Sequence, residues 1–405
     1  MEPASPLLDR PPEEGARRIA LGYLDDAAEA WPRLAAGPDP ADPEALHDFR
    51  VALRRLRSCL RSYRPYLKDG LSKKLRRRLR DLAGATGPGR DTEVQIAWLR
   101  DAGRDLGPHH RAALVWLLGR LEERMDDATD ELEEPLGDFP HLERDLRRRL
   151  STYRTEVHLE SGGGKPTLGE AAAAALRKQL SELEVHLSHI EDPGDEKQAH
   201  RARISAKRLR YLIEPLAGEV PGSKPTVQSL KALQDLLGEL HDAHVLETEL
   251  VRALEESAAE RAHRLLDLSL ADAPDEKLLR NERRRVRETG LIALARQNRD
   301  RRDRLFTLLE EGWLEGRAAE TLARIGELGE ALRPHPLSPS PIAHAPDRER
   351  GDAIRDDLPG RPHPLSPSPI ARAPDRERGD AIRDDLPGRP HPLSPSPIAR
   401  APDRE

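Results

Sequence analysis

The chain has 405 residues, with 67 Lys and Arg against 73 Asp and Glu, and only 3% aromatic residues. Charge this dense, with so few β-branched or aromatic side chains, argues against a β-sandwich, a barrel or a large parallel sheet. Leu, Ala, Arg and Glu dominate, and these are helix formers, so the expected class is all-α. A single cysteine, Cys59, rules out a disulfide scaffold and any cysteine-based zinc site. No apolar run approaches the roughly 18 residues of a membrane span. The N-terminal MEPASPLLDRPPEEGARR lacks the basic-then-apolar order of a signal peptide. A cytoplasmic protein with no membrane partner is expected.

Residues 1–14 carry no apolar periodicity and read as a disordered N-terminus. From 15 to 331, apolar residues recur at i and i+3 or i+4 between short Gly and Pro breaks. This spacing predicts helices near 15–31, 45–67, 71–85, 90–105, 109–132 and 139–154. After Ser161-Gly162-Gly163-Gly164, read as a linker, helices are predicted near 167–190, 196–217, 224–240, 242–270, 275–311 and 313–331. Residues 332–405 differ in kind. RPHPLSPSPIA begins at Arg333 and recurs at Arg361 and Arg389, a period of 28 residues. The copies agree even at surface-type positions, have no apolar face, and their charges cancel. They read as a disordered repeat tail.

The linker separates two halves, about 15–160 and 165–331, that resemble each other. LHDFRVALRRLRSCLRSYRPYL places His47, Arg50, Arg54, Arg55 and Arg57; AHRARISAKRLRYLIEPL places His200, Arg203, Lys207, Arg208 and Arg210. The pattern H-x-x-R-x-x-x-[RK]-R-x-R is shared, offset by 153 residues. A short motif follows each: Arg90-Asp91 in one half, His241-Asp242 in the other. A duplicated helical unit is the simplest reading.

At about 100° per residue, His47, Arg50, Arg54, Arg57 and Arg61 share one sector of a helix, as do His200, Arg203, Lys207 and Arg210. Phe49, Leu53, Leu56 and Leu60 form the adjacent stripe that faces a core, and Cys59 reads as a small core residue. The next helix adds Lys73, Lys74, Arg76, Arg77, Arg78 and Arg80. Between residues 47 and 80 there are 13 Lys and Arg against two acids, a local charge of +11; between 200 and 231, seven against two give +5. A solvated face stabilised by i,i+4 ion pairs would interleave acids, and these segments hardly do. The ridges therefore point to an anion. Arg280–Arg304 interleaves Glu282, Glu288, Asp300 and Asp303, so the ordinary reading has more weight there.

Guanidinium forks suit phosphate oxygens, and side chains one helical turn apart repeat every ~5.4 Å. Single-strand nucleic acid would call for aromatic stacking platforms, and the ridges offer only Tyr63, Tyr66 and Tyr211. Duplex reading would call for base-reading Asn or Gln, and none stands out. A phosphate polymer without bases fits better, so nucleic acid is not the expected partner. His47 and His200 can donate to phosphate oxygens once protonated; the plainer alternative is a structural histidine near a helix start. The pairs His186/His189 and His241/His244 fall short of a zinc ligand set. No nucleotide-binding, hydrolase or zinc-peptidase motif is present, and no cofactor, metal or catalytic residue is expected.

The paired H-x-x-R-x-x-x-[RK]-R-x-R helices, the Gly87-Pro88-Gly89-Arg90-Asp91 turn and LRYLIEPL resemble the CHAD family, the conserved histidine α-helical domain. The resemblance covers most of 15–331 and misses the tail. It implies two pseudo-symmetric four-helix-bundle-like halves with a basic groove or pore between them. It also implies binding of inorganic polyphosphate, and in some members association with polyphosphate granules. Carried over by motif, the binding residues are His47, Arg50, Arg54, Arg57, His200, Arg203, Lys207 and Arg210; position adds Arg61, Lys73, Arg77, Lys224 and Lys231. CHAD domains often follow a CYTH triphosphatase domain, whose E-x-E-x-K strand is absent here. Any polyphosphate-metabolising enzyme would then be a separate partner. A metal- or histidine-dependent phosphohydrolase or phosphotransfer enzyme, and a generic nucleic-acid-binding helical protein, are the alternatives.

Overall fold

A computed structural model describes residues 6–35, 44–67, 71–152, 166–271, 276–284 and 287–333. The repeats from residue 334 onward, the 161–164 linker and residues 1–5 lie outside the described residues. All described regular structure is helical, and no described helix is long and apolar enough to cross a membrane.

The first half contains α1 (Pro12–Ala35), α2 (Ala45–Ser62), α3 (Lys73–Ala85), α4 (Gly87–Ala102), α5 (Arg111–Gly137) and α6 (Phe139–Ser151). On α1 the buried stripe is Ala16, Ala20, Leu24, Ala27 and Ala30. Its small residues let α2 lie close, so Phe49, Leu53 and Leu56 pack into it. Ser72 caps α3 by accepting from the Leu75 amide at 3.2 Å. Pro88 stands in the first turn of α4, where its missing N–H removes nothing from the helix.

The second half contains α7 (Leu168–Leu187), α8 (Glu196–Ile213), α9 (Ser223–Leu270), α10 (Glu276–Arg284), α11 (Arg287–Leu309) and α12 (Arg317–Ala331). A capping box starts α7, in which Thr167 and Glu170 satisfy each other's backbone amides. The largest departure from the predicted elements is α9, a single 48-residue helix where two were expected, at 224–240 and 242–270. Gly238 lowers helix propensity by only about 1 kcal/mol, and Leu237, Leu240, Ala243, Leu246 and Leu250 continue one buried stripe across it. At the corresponding place in the first half, the chain breaks at Thr86, and Gly87-Pro88-Gly89 begin the separate helix α4.

The N-terminal expectation also needs correction, since only residues 1–5 fall outside the described chain. Leu7–Asp9 form a 3-10 turn, and α1 already begins at Pro12. Leu7 and Leu8 pack on the core. Their amides donate to the Glu219 carboxylate at 2.9 and 3.2 Å. Two apolar side chains are enough to anchor a segment that has no periodicity.

Two hydrophobic cores hold the helices. The larger joins α1, α2, α3 and α6 to α7, α8, α12, the first part of α9 and the end of α11. The smaller joins α4 and α5 to the middle of α9 and the start of α11, through Leu99, Leu117, Leu121, Leu246, Leu250 and Leu294. Each core draws helices from both halves, so the halves fold onto one another. Each fully buried leucine contributes about 1.5–3 kcal/mol relative to exposure. Equivalent elements meet across the junction, α1 on α7 and α2 on α8. Cys59 is a buried thiol whose Sγ–H donates to the Ala16 carbonyl at 3.6 Å, and burial pushes its pKa up to about 12.

Candidate anion-binding site

The core stripe of α2 fixes where its cations go. With Phe49, Leu53 and Leu56 fully buried, Arg50, Arg54 and Arg57 emerge along the edge of the packed face. Arg50 is 8% exposed, while Arg54 and Arg57 are half-buried. On α8 the core stripe is Ala199, Ala202, Ala206 and Leu209. His200, Arg203, Lys207 and Arg210 stand beside it, all half-buried. Because α2 packs on α8, the inner parts of the two ridges are brought near one another where the halves meet.

The electrostatic neighbours show this convergence. Asp91, in the first turns of α4, feels Arg50 and Arg54 from one half and Arg203 from the other. Asp242 on α9 feels Arg203, Arg301 from α11, and Arg90. Arg54 and Arg203 also repel each other across the junction. Among the described residues, the side chains of Arg50, Arg54, Arg203, Asp91 and Asp242 close no hydrogen bond or ion pair with one another or with any other group. Burial, then Arg54, draws the Arg50 guanidinium down to about 10, with Asp91 pulling the other way. Burial also lowers Arg203. Loss of solvent raises both aspartates above the usual carboxylate range, against the pull of the arginines. Buried guanidiniums without acceptors are unfavourable, and an anion supplying oxygens relieves the cost.

Two imidazoles lie beside these cations. The rings of His200 and His241 lie 4.6 Å apart, centre to centre. Burial, followed by Arg203, His200, His244 and Lys207, brings His241 down to about 3. It is therefore neutral near pH 7.

The remaining predicted residues are placed differently. Arg210 turns away to Glu214 at 3.3 Å and lies over the Tyr211 ring at 4.8 Å. Arg55 approaches the same carboxylate at 3.2 Å. Glu214 corresponds, at the 153-residue offset, to Arg61 in the first half, so the two ridges end with opposite charge. His47 is exposed on the first turn of α2, and no ring contact matches the one His200 makes. Lys73 and Arg77 on α3, and Lys224 and Lys231 on α9, are exposed as well. Among the described residues, no hydrogen bond, ion pair or ring contact ties these five to the Arg50–Arg203 cluster.

Sequence reasoning did not select Arg90, Asp91, His241, Asp242 and Arg301 as site residues. The recurrence of Arg90-Asp91 and His241-Asp242 was the available signal for four of them; nothing in the sequence marks Arg301. In the Arg280–Arg304 stretch, Arg287 pairs with Glu260 at 3.1 Å and Arg302 with Glu247 at 2.8 Å, the ordinary paired pattern. No group of three metal-ligating side chains occurs among the described residues. His189 Nδ1 meets the Val185 carbonyl at 2.6 Å and His244 Nε2 the Pro193 carbonyl at 2.8 Å, so one nitrogen of each is already engaged.

Comparison with known proteins agrees with this architecture. Two uncharacterized proteins of Mycobacterium tuberculosis, MT2285 and Rv2226, are each 26% identical over 265 residues, 60% of this chain. The match spans 46% of their own length. Among solved structures, PptA from Streptomyces chartreusis superposes with a TM-score of 0.51 at 16% identity, over 74% of this chain and 98% of that one. The CHAD domain from the plant Ricinus communis superposes with a TM-score of 0.49 at 19% identity, over 76% and 93% of the two chains. The CHAD domain family itself matches residues 18–251, more than half of the chain and including both basic helices. With its duplicated His/Arg helices meeting across one all-α unit, the chain belongs to the CHAD domain family.

Proposed function

We propose that this protein binds inorganic polyphosphate, without chemical turnover, in the crevice where the two halves meet. The observation that carries the reading is the trio Arg50, Arg54 and Arg203. They come from both halves, they converge, and among the described residues none has a close acidic partner. Lys207, His200 and Arg57 extend the cationic surface along the same two helices. Exposed Arg61, Lys73, Arg77, Lys224 and Lys231 lie on the same helices or the ones that follow, where a long polymer could leave the crevice. The resemblance to the CHAD family supports polyphosphate in particular. So does the scarcity of aromatic platforms beside these cations, which disfavours nucleic acid. A cytoplasmic setting, at polyphosphate granules or beside a separate polyphosphate-metabolising enzyme, follows from the same reading.

Titration of the full chain with long-chain polyphosphate against single-stranded DNA of matched charge tests it. Polyphosphate should bind more tightly, with steep weakening by salt as counterions are released. Equal binding of DNA at the same ionic strength would replace this reading with a generic nucleic-acid one.

A phosphohydrolase or phosphotransfer reading draws on neutral His241 beside Asp91 and Asp242, groups of the kind that carry nucleophilic and acid–base chemistry. Incubation with polyphosphate, alone and with Mg²⁺, Mn²⁺ or Zn²⁺, decides between the two. Phosphate release above a heat-killed control, lost in His241→Ala or His47→Ala, would establish turnover.

A further inference from the structure

We propose that polyanion binding in this crevice is coupled to proton uptake by the neighbouring His200–His241 pair, which makes the protein an acid-enhanced binder. The proposal rests on the binding reading above.

The two rings lie 4.6 Å apart, and His241 lines a narrow cleft with Asp91, Gln95 and Asp242. Their surroundings are mostly cationic. From α8 come Arg203 and Lys207, and from α9 itself His244; Asp242 and the α4 residue Asp91 offset them only in part. Further out, Arg50 and Arg54 of α2, Arg90 of α4 and Arg301 of α11 act on the two aspartates. A proton on either ring thus meets Arg203 and Lys207 at close range in a partly dry site. His241 Nδ1 is moreover buried with no hydrogen-bond partner among the described residues, so the ring holds unused hydrogen-bonding capacity.

A polyphosphate laid along the two ridges reverses this field. Phosphates drawn to Arg203 and Lys207 cancel the repulsion that keeps His241 neutral and favour imidazolium. The complex then holds more protons than its separate parts, and by linkage affinity rises as pH falls. Between pH 8 and 5.5 the arginines do not produce this effect. Arg50, drawn down only to about 10, stays charged throughout. Burial raises both aspartates above the ordinary carboxylate value, and their own Asn variants separate them from the histidines. The rings are close enough that charge on His200 acts on His241.

Calorimetric titration of the full chain with long-chain polyphosphate reads the coupling directly. It is run near neutral pH in two phosphate-free buffers of different ionisation enthalpy, then across pH 8 to 5.5 at constant ionic strength. The expected result is net proton uptake and affinity rising up to about tenfold per pH unit for each proton taken up. His200→Gln with His241→Gln should lose the slope, whatever its affinity at pH 8, and His241→Gln alone, the milder change, should reduce it. His263→Gln, at an exposed position of α9, should leave the slope unchanged. The proposal is overturned if the wild type binds with flat affinity and no proton uptake, or if the double variant keeps the slope. It is also overturned if Asp91→Asn with Asp242→Asn, rather than the histidine changes, abolishes it. Failure of the wild type to bind at any pH would instead remove the binding reading, and this one with it.

Discussion

Two arginine-bearing regions of this molecule differ in how their guanidiniums are paired. Around the smaller core, guanidiniums are matched to carboxylates: Arg124 makes two bonds to Glu249 at 2.9 and 3.0 Å, Arg264 meets Glu282 at 2.9 Å, and Arg287 meets Glu260 at 3.1 Å. At the junction of the halves, Arg50, Arg54 and Arg203 come together with Asp91 and Asp242 near but in no close pairing among the described residues. The first region is tied within the fold. The second keeps its hydrogen-bonding capacity for something else. Whether a close acid completes each guanidinium distinguishes them.

Charge reversal at the junction should separate the regions most strongly. Arg50→Glu with Arg54→Glu should weaken polyphosphate binding well over tenfold, since each charge-assisted contact is worth roughly 1.5–3 kcal/mol. Arg203→Glu with Lys207→Glu should do the same, despite the smaller local charge of that half. If the second-half variant bound like wild type while the first failed, the ridges would be two independent patches and the shared crevice would have to be abandoned.

The paired region should respond in stability and not in binding. Arg124→Ala leaves the mostly buried Glu249 without its partner and should lower unfolding stability by about 1–3 kcal/mol, with polyphosphate affinity unchanged. Denaturant unfolding and titration of the same sample check both halves of this statement. An affinity loss comparable to that of the junction variants would show that the two regions are not distinct.

A smaller effect concerns the ligand-free protein. His241 stays neutral in the fold down to about pH 3 but protonates near 6.5 once unfolded. Between those values the unfolded chain holds the extra proton, so stability falls as pH drops below 6.5. The raised aspartates act in the opposite sense. Melting temperature between pH 7 and 5.5 should therefore fall less in His241→Gln than in wild type. The smallest expected effect is none at all: removing residues 333–405 should change neither melting temperature nor affinity, because that segment has no apolar face and its charges cancel. A loss in either measurement would mean that the repeats belong to the folded or binding unit.

The sequence by itself determined the helical class, the duplication and the two cationic ridges. These follow from local periodicity: on α2 the apolar stripe through Phe49, Leu53 and Leu56 necessarily leaves Arg50, Arg54 and Arg57 beside it. The end of α8 was not legible in the same way. Arg210 keeps the motif spacing of Arg57, yet Glu214, one turn on, draws it out of the ridge. Nor did the pattern show that α9 runs unbroken through Gly238, since packing on both cores outweighs a single poor helix former. Only the tertiary structure decided which cations meet. Asp91 and Arg203 are 112 residues apart in the chain and become neighbours because α2 packs on α8 and the middle of α9 carries His241 and Asp242 to the same place. Periodicity specifies the face a side chain occupies on its own helix; the neighbour that face receives depends on how the helices fill their shared cores, and that is a property of the whole fold.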